Sequence, residues 1–192
     1  MFDLPRKIVV FDTECTTWEG ALQRNWSGPG ECRELIQLGA VLVETSNFCE
    51  IAALRILVRP MFNPVLSDYC LNLTGITQRE IDVLGIDFPV CLRIFEMWCR
   101  KYELYSFDKV YGHMFDQNVL VENCDLHGME LPFDPERFHN LNEIFLDHGV
   151  LIEQSGKASL AFGVEPKLRP HDALNDVRGL IDGLRLLRRK VV

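Results

Sequence analysis

Three groups of acidic residues stand in this chain where strands or helices meet loops, and clustered carboxylates are the side chains that bind hard divalent cations. The first is Asp12-Thr13-Glu14, directly after an apolar run. In a strand, residues i and i+2 point to one face, so both carboxylates can converge on one point. The second is Asp116, in the sequence Tyr111-Gly112-His113-Met114-Phe115-Asp116. The third is His171-Asp172-Ala173-Leu174-Asn175-Asp176. His171 and Asp176 would lie about 140° apart around a regular helix, so they do not form one helical stripe. His171 is therefore expected on the loop leading in, and Asp176 projecting inward from the first turns. Taken singly, each group has an ordinary reading. A D-x-E is most often a solvated strand end, an Asp at a helix start is favoured by the macrodipole, and a His with two Asp near a helix start supplies caps.

The elements around these groups give them positions. Lys7 to Thr13 is a short β-branched apolar run, read as a buried central strand. Leu35 to Glu44 and Phe48 to Val58 read as two more strands, with Thr45, Ser46 and Asn47 as a hairpin signal. Thr16 to Arg33, rich in Gly, Trp and polar residues, reads as a loop. Thr77 and Glu80 form a T-x-x-E capping box, and Pro89 can open a further helix. Lys109 to Gly112 reads as a strand and Phe115 to Leu126 as a helix. A short segment near Phe138 and a helix over Leu141 to His148 come next. Ser159 is expected to cap a helix of one or two turns, and a long amphipathic helix runs from about Asp172 to Lys190. A hairpin followed by alternating helices and strands indicates an α/β domain with a mixed sheet flanked by helices.

The chain has 192 residues, which fits a single domain over 1–192. No apolar run approaches the roughly 18 residues of a membrane span, and no signal peptide is expected at the start. Seven cysteines, an odd count without a C-x-x-C pair, favour neither a disulfide framework nor a zinc site. They suit a reducing, cytoplasmic compartment. The net charge of −8 counts against nucleic-acid binding unless carboxylates bind cations that reverse the local sign.

The ordered series D-x-E, Asp and H-x-A-x-x-D resembles the DEDDh exonucleases of the DnaQ-like superfamily, over a span from Ile8 to about Leu187. Leu71 to Asp82 (LNLTGITQREID) is similar to the L-T-G-I segment of that family. With Glu34 to Val43 (ELIQLGAVLV), it resembles the subgroup of the histone-mRNA 3′ exonuclease and its bacterial relatives. The resemblance implies an RNase H-like fold, a five-stranded mixed sheet with one antiparallel strand and helices around it. It implies Asp12, Glu14, Asp116 and Asp176 as metal-binding acids and His171 as general base. Leu73, Thr74 and Gly75 would border the terminal nucleotide, and the backbone near Thr13 and Glu14 would hold its 3′ end. Two Mg²⁺ or Mn²⁺ ions, roughly 4 Å apart, would activate water and stabilise the leaving 3′ oxygen.

The activity implied is release of nucleoside monophosphates from single-stranded RNA or DNA 3′ ends, with RNA favoured by the subgroup. The alternative is a module on the same fold that binds nucleic acid or a protein partner without cutting. All five expected catalytic positions carry the expected residue types, which favours the enzyme. Trp18 and Trp26 can stack on bases or anchor their loop. The basic run Arg185, Arg188, Arg189 and Lys190, with Arg178 earlier, can meet phosphates or complement a helix dipole.

Overall fold

The computed structural model describes residues 2–109 and 115–191. Strands β1 (Lys7–Cys15), β2 (Leu35–Glu44) and β3 (Cys49–Leu57) come first. Helices α1 (Asp68–Thr74), α2 (Gln78–Leu84) and α3 (Phe88–Cys99) follow. Then come β4 (Leu104–Ser106), α4 (Phe115–Leu126), β5 (Phe138–Asn140), α5 (Asn142–Asp147) and α6 (Ala173–Val191). The strand order is β3-β2-β1-β4-β5. Strand β2 pairs antiparallel with both neighbours, whereas β1, β4 and β5 are parallel. This is the mixed sheet with one reversed strand that the resemblance implied.

Central strand β1 is buried on both faces, which is why it reads as an unbroken apolar run. Val9 and Phe11 join a cluster with Leu92 and Phe95 of α3 and Val119 and Leu120 of α4. Ile8 and Val10 pack on the other face with Val177, Leu180 and Leu184 of α6. The same alternation assigns sides to the polar residues that follow. Asp12 and Glu14 continue the α6 face, and Thr13 continues the α4 face. Helix α6 buries Val177, Leu180, Ile181, Leu184 and Leu187, spaced for one stripe. Each such side chain contributes about 1.5–3 kcal/mol, so packing rather than propensity holds the helix in place.

Several expectations need adjustment. The capping box at Thr77 is present, with both reciprocal hydrogen bonds. Helix α1, which ends inside the L-T-G-I segment, was not anticipated; Ser67 caps it by accepting from the amide of Cys70. Ser159 does not cap a helix but lies inside a 3₁₀ stretch, Ser155–Phe162, entered through Gln154. That stretch is set by its packing on α6. A Cβ added to Gly179 would stand 2.8 Å from the Cα of Gly156. The strand expected over Lys109 to Gly112 lies outside the described residues except for Lys109. Three-residue β4 takes the place between β1 and β5, and it is too short to leave a periodic signal.

Candidate active site

The end of β1 carries two of the acids, and each opposes a β2 residue with a part in the site. Asp12 pairs with Gly39 and Glu14 with Gln37. On the α6 side, the backbone of the helix's first turn comes down onto Gly39. A Cβ there would stand 2.3 Å from the Leu174 nitrogen and 2.4 Å from the Ala173 carbonyl carbon. Only glycine allows this approach, and it brings Asp176 against the acids of β1. Asp172 sits at the helix start, where Oδ1 accepts from the Asn175 amide at 3.1 Å. It is the cap, and Asp176 lies one turn further in.

His171 precedes the helix with φ 62°, a left-handed conformation that costs a non-glycine residue energy and concentrates at functional sites. This bend turns its backbone N–H onto Asp176, donating to Oδ1 at 3.1 Å and Oδ2 at 3.3 Å. Ser155 donates to the same carboxylate at 3.2 Å. Glu14, His171 and Asp176 each offer a ligand atom, all within 4.8 Å of one another.

Asp116 arrives from the opposite layer, in the first turn of α4, and is 2 % exposed. Thr13 holds it with both of its donors, the backbone N–H at 3.0 Å and the hydroxyl at 2.6 Å. The alternation of β1 therefore has two uses. Asp12 and Glu14 face α6, while Thr13 reaches the acid that α4 supplies.

Asp12, Glu14, Asp116 and Asp176 line one cleft of about 850 Å³ together with Thr13, Leu73 and His171. Thr74 is not part of its lining. Its buried hydroxyl donates to the Cys70 carbonyl at 2.9 Å and accepts from the Ile76 amide at 3.1 Å. Sequence reasoning had missed Tyr69, Phe107 and Phe115, which add aromatic walls beside Trp18. Phe115 was within reach as the neighbour of Asp116, but no spacing marks the other two. Trp26 also borders the cleft, and its indole N–H is donated to the Thr16 carbonyl at 2.8 Å. Arg33 stacks between Trp26 and Phe115 and pairs with Glu122, so Trp26 anchors its loop. Of the basic run, Arg178 pairs with Glu50, and Arg185 pairs with Asp182 and donates to the Phe48 carbonyl. None of the run lines the cleft.

The cluster concentrates four acidic groups in a buried setting, an arrangement that repels anions and favours a cation. Burial pushes the Asp12 carboxyl well up, and the charges of Asp116, Asp176 and Glu14 push it further. Burial, then Asp176 and Asp116, does the same to Glu14. Asp116 is raised to about 7 by burial, despite the two donors of Thr13. Asp176 is raised to about 6, again by burial first, with the His171 amide and Ser155 opposing. Among the described residues, no Lys or Arg forms an ion pair with any of the four. A hard divalent ion with oxygen ligands would relieve this repulsion, so the donor set fits such a metal. His171 is shifted the other way. Burial, followed by the charges of Lys157 and Arg169, holds its imidazole below the usual value and favours the neutral form.

Comparison with known proteins places this geometry. A profile of the exonuclease family RNase_T matches residues 9–182. The human 3′-5′ exoribonuclease 1 is 27% identical over 180 residues, covering 90% of this chain and 50% of that protein. ERI1 exoribonuclease 2 of Xenopus laevis is 33% identical over 94 residues, 49% of this chain and 12% of its own length. The chain thus spans half or less of these two curated relatives. Among solved structures, the nuclease domain of 3′hExo, a DEDDh family member bound to rAMP, superposes with a TM-score of 0.77. It is 25% identical, and the match covers 96% of this chain and 92% of that one. With the family profile spanning β1 to α6 and the sheet superposing on a DEDDh nuclease, the chain belongs to the exonuclease family.

Proposed function

We propose that this chain is a DEDDh 3′-to-5′ exonuclease that releases nucleoside monophosphates from single-stranded nucleic-acid ends, RNA before DNA. The observation that carries the reading is the convergence of four buried acids and His171 in one cleft, drawn from β1, α4, α6 and the turn that leads into α6. Family membership implies divalent-metal use. We assign the site two Mg²⁺ or Mn²⁺ ions, held by Asp12, Glu14, Asp116 and Asp176. When bound, such ions lower the pKa of an attacking water and neutralise charge on the leaving 3′ oxygen.

The chain's own residues do the remaining work. His171 accepts the proton of the attacking water on a ring nitrogen, which its depressed pKa leaves free. Thr13 fixes the Asp116 carboxylate through two hydrogen bonds. Leu73, Trp18, Tyr69 and Phe115 supply apolar and aromatic faces for the terminal nucleotide. The preference for RNA draws its support from the relatives named as exoribonucleases and from the rAMP-bound nuclease domain.

Matched single-stranded RNA and DNA oligomers, 5′-labelled and incubated with Mg²⁺, Mn²⁺ or EDTA, test the proposal. Metal-dependent shortening from the 3′ end is expected, faster on RNA. Equal rates on both would remove the RNA preference, and cleavage that persists in EDTA would remove the metal assignment.

A further inference from the structure

Gln37 is fully buried in β2, yet both ends of its amide are engaged by the start of α6. Its Nε2 donates to Asp172 Oδ2 at 3.0 Å, and its Oε1 accepts from the Ala173 backbone amide at 2.7 Å. These partners fix the orientation of the amide, since only nitrogen can face the carboxylate and only oxygen the N–H. Asp172 is tied further. Oδ1 accepts from the Asn175 amide at 3.1 Å, and Oδ2 also accepts from Arg55 of β3 at 3.1 and 3.3 Å. Burial raises the Asp172 carboxyl, but the donors of Gln37, Asn175 and Arg55 outweigh it and hold the group ionised.

Gln37 also stands directly across the ladder from Glu14, and Gly39 across from Asp12. Residues 37–39 of β2 therefore touch both acid-bearing elements. They meet β1 through strand pairing, and they meet the first turn of α6 through the amide clamp and the close approach at Gly39. An apolar side chain at position 37 would fill the same space without fixing where along the strand α6 begins.

We propose that Gln37 is a positioning residue: its clamp on Asp172 and Ala173 sets the place of Asp176 and His171 relative to Asp12 and Glu14. The proposal rests on the exonuclease reading above. A role confined to stability would lower the melting temperature and leave turnover by the folded protein unchanged. A positioning role lowers kcat at saturating substrate and metal, because the reacting groups are held off their geometry.

Three variants separate these roles. Gln37→Glu keeps the acceptor for Ala173 but turns a second oxygen toward Asp172. Asp172→Asn keeps the helix cap but turns its amide toward the Gln37 donor. The double variant restores a donor–acceptor pair in the reversed sense and conserves the net charge of the trio with Arg55. The expected result is a kcat about 10–100-fold below wild type in each single variant. KM is expected to stay near its wild-type value, and the double variant to recover about ten-fold or more over Gln37→Glu. Wild-type kcat in both folded single variants would overturn the proposal, as would a double variant no faster than the slower single one. If Gln37→Glu fails to fold, as judged by circular dichroism, Asp172→Asn decides alone, and wild-type kcat there overturns it. A wild-type protein that does not shorten 3′ ends would instead remove the exonuclease reading on which the proposal stands.

Discussion

The backbone N–H of His171 donates to both carboxylate oxygens of Asp176, five residues further along the chain. A helix could not bring these two together. The left-handed turn at His171 does so, and it holds the acid with a main-chain group while the imidazole stays free for other work. The side chain and the main chain of one residue thus have separable roles.

Substitution at His171 should expose that separation. His171→Ala removes the ring but keeps the amide, so turnover is expected to fall by about 10²–10⁴-fold. Mn²⁺ binding measured by calorimetry is expected to remain close to wild type. A loss of metal affinity as large as the loss of turnover would make the imidazole a ligand instead of a base.

The raised carboxyls make the metal-free protein sensitive to pH. Asp116 and Asp176 titrate at about 7 and about 6 in the folded state, against about 3.9 for an unfolded Asp. Asp12 and Glu14 are shifted the same way. Between about pH 5 and 7 these four groups therefore hold more protons in the folded chain than in the unfolded one, and their contribution to stability falls as pH rises. His171, held below its usual value, acts in the opposite sense near pH 6, one group against four. In EDTA the melting temperature is expected to be lower at pH 8 than at pH 5.5, and saturating Mn²⁺ should recover it at pH 8. A flat profile in EDTA would show that burial and mutual charge do not hold these acids protonated as described.

Thr13 serves Asp116 through its hydroxyl as well as its amide. Thr13→Val removes the hydroxyl donor at nearly constant volume and is expected to lower kcat by roughly 10–100-fold and weaken Mn²⁺ binding. Thr13→Ser should retain most of both. Similar losses in the two variants would place the effect in packing, since serine lacks only the methyl group.

Gly39 sets how closely α6 approaches the sheet. Gly39→Ala would place a methyl group 2.3 Å from the Leu174 nitrogen, so the first turn of the helix must move. Urea unfolding is expected to register a loss of about 1–3 kcal/mol, with a drop in kcat in the protein that remains folded. Unchanged stability and turnover would mean that the helix start is not seated as described.

Much of this arrangement was legible in the chain. The apolar run of β1, the hairpin of β2 and β3, and the stripe of α6 are long enough to show their periods. Asp12, Glu14, Asp116, His171 and Asp176 were marked by family spacing, and the structure brings them to one cleft. What stayed hidden was mostly tertiary. Leu104–Ser106 is a strand because neighbours pair with it on both sides, and three residues carry no pattern of their own. Thr13 was read as a substrate contact, and its bond to an acid 103 positions away has no local signature. The expected Ser159 cap is replaced by a 3₁₀ stretch, Ser155–Phe162, in which Gly156 lies close against Gly179. The partners of Gln37 on α6 lie 135 and 136 positions away, and no local pattern marks them.

Digestion of 3′- and 5′-labelled single-stranded RNA by the wild-type protein beside Asp12→Ala, with Mn²⁺ or EDTA, is the most direct test. The expected result is prompt release of the 3′ label as a nucleoside monophosphate, progressive shortening of the 5′-labelled strand, and neither event in the variant or in EDTA. No shortening by a wild-type protein shown separately to bind Mn²⁺ would contradict the exonuclease assignment, as would an Asp12→Ala variant that cuts at the wild-type rate.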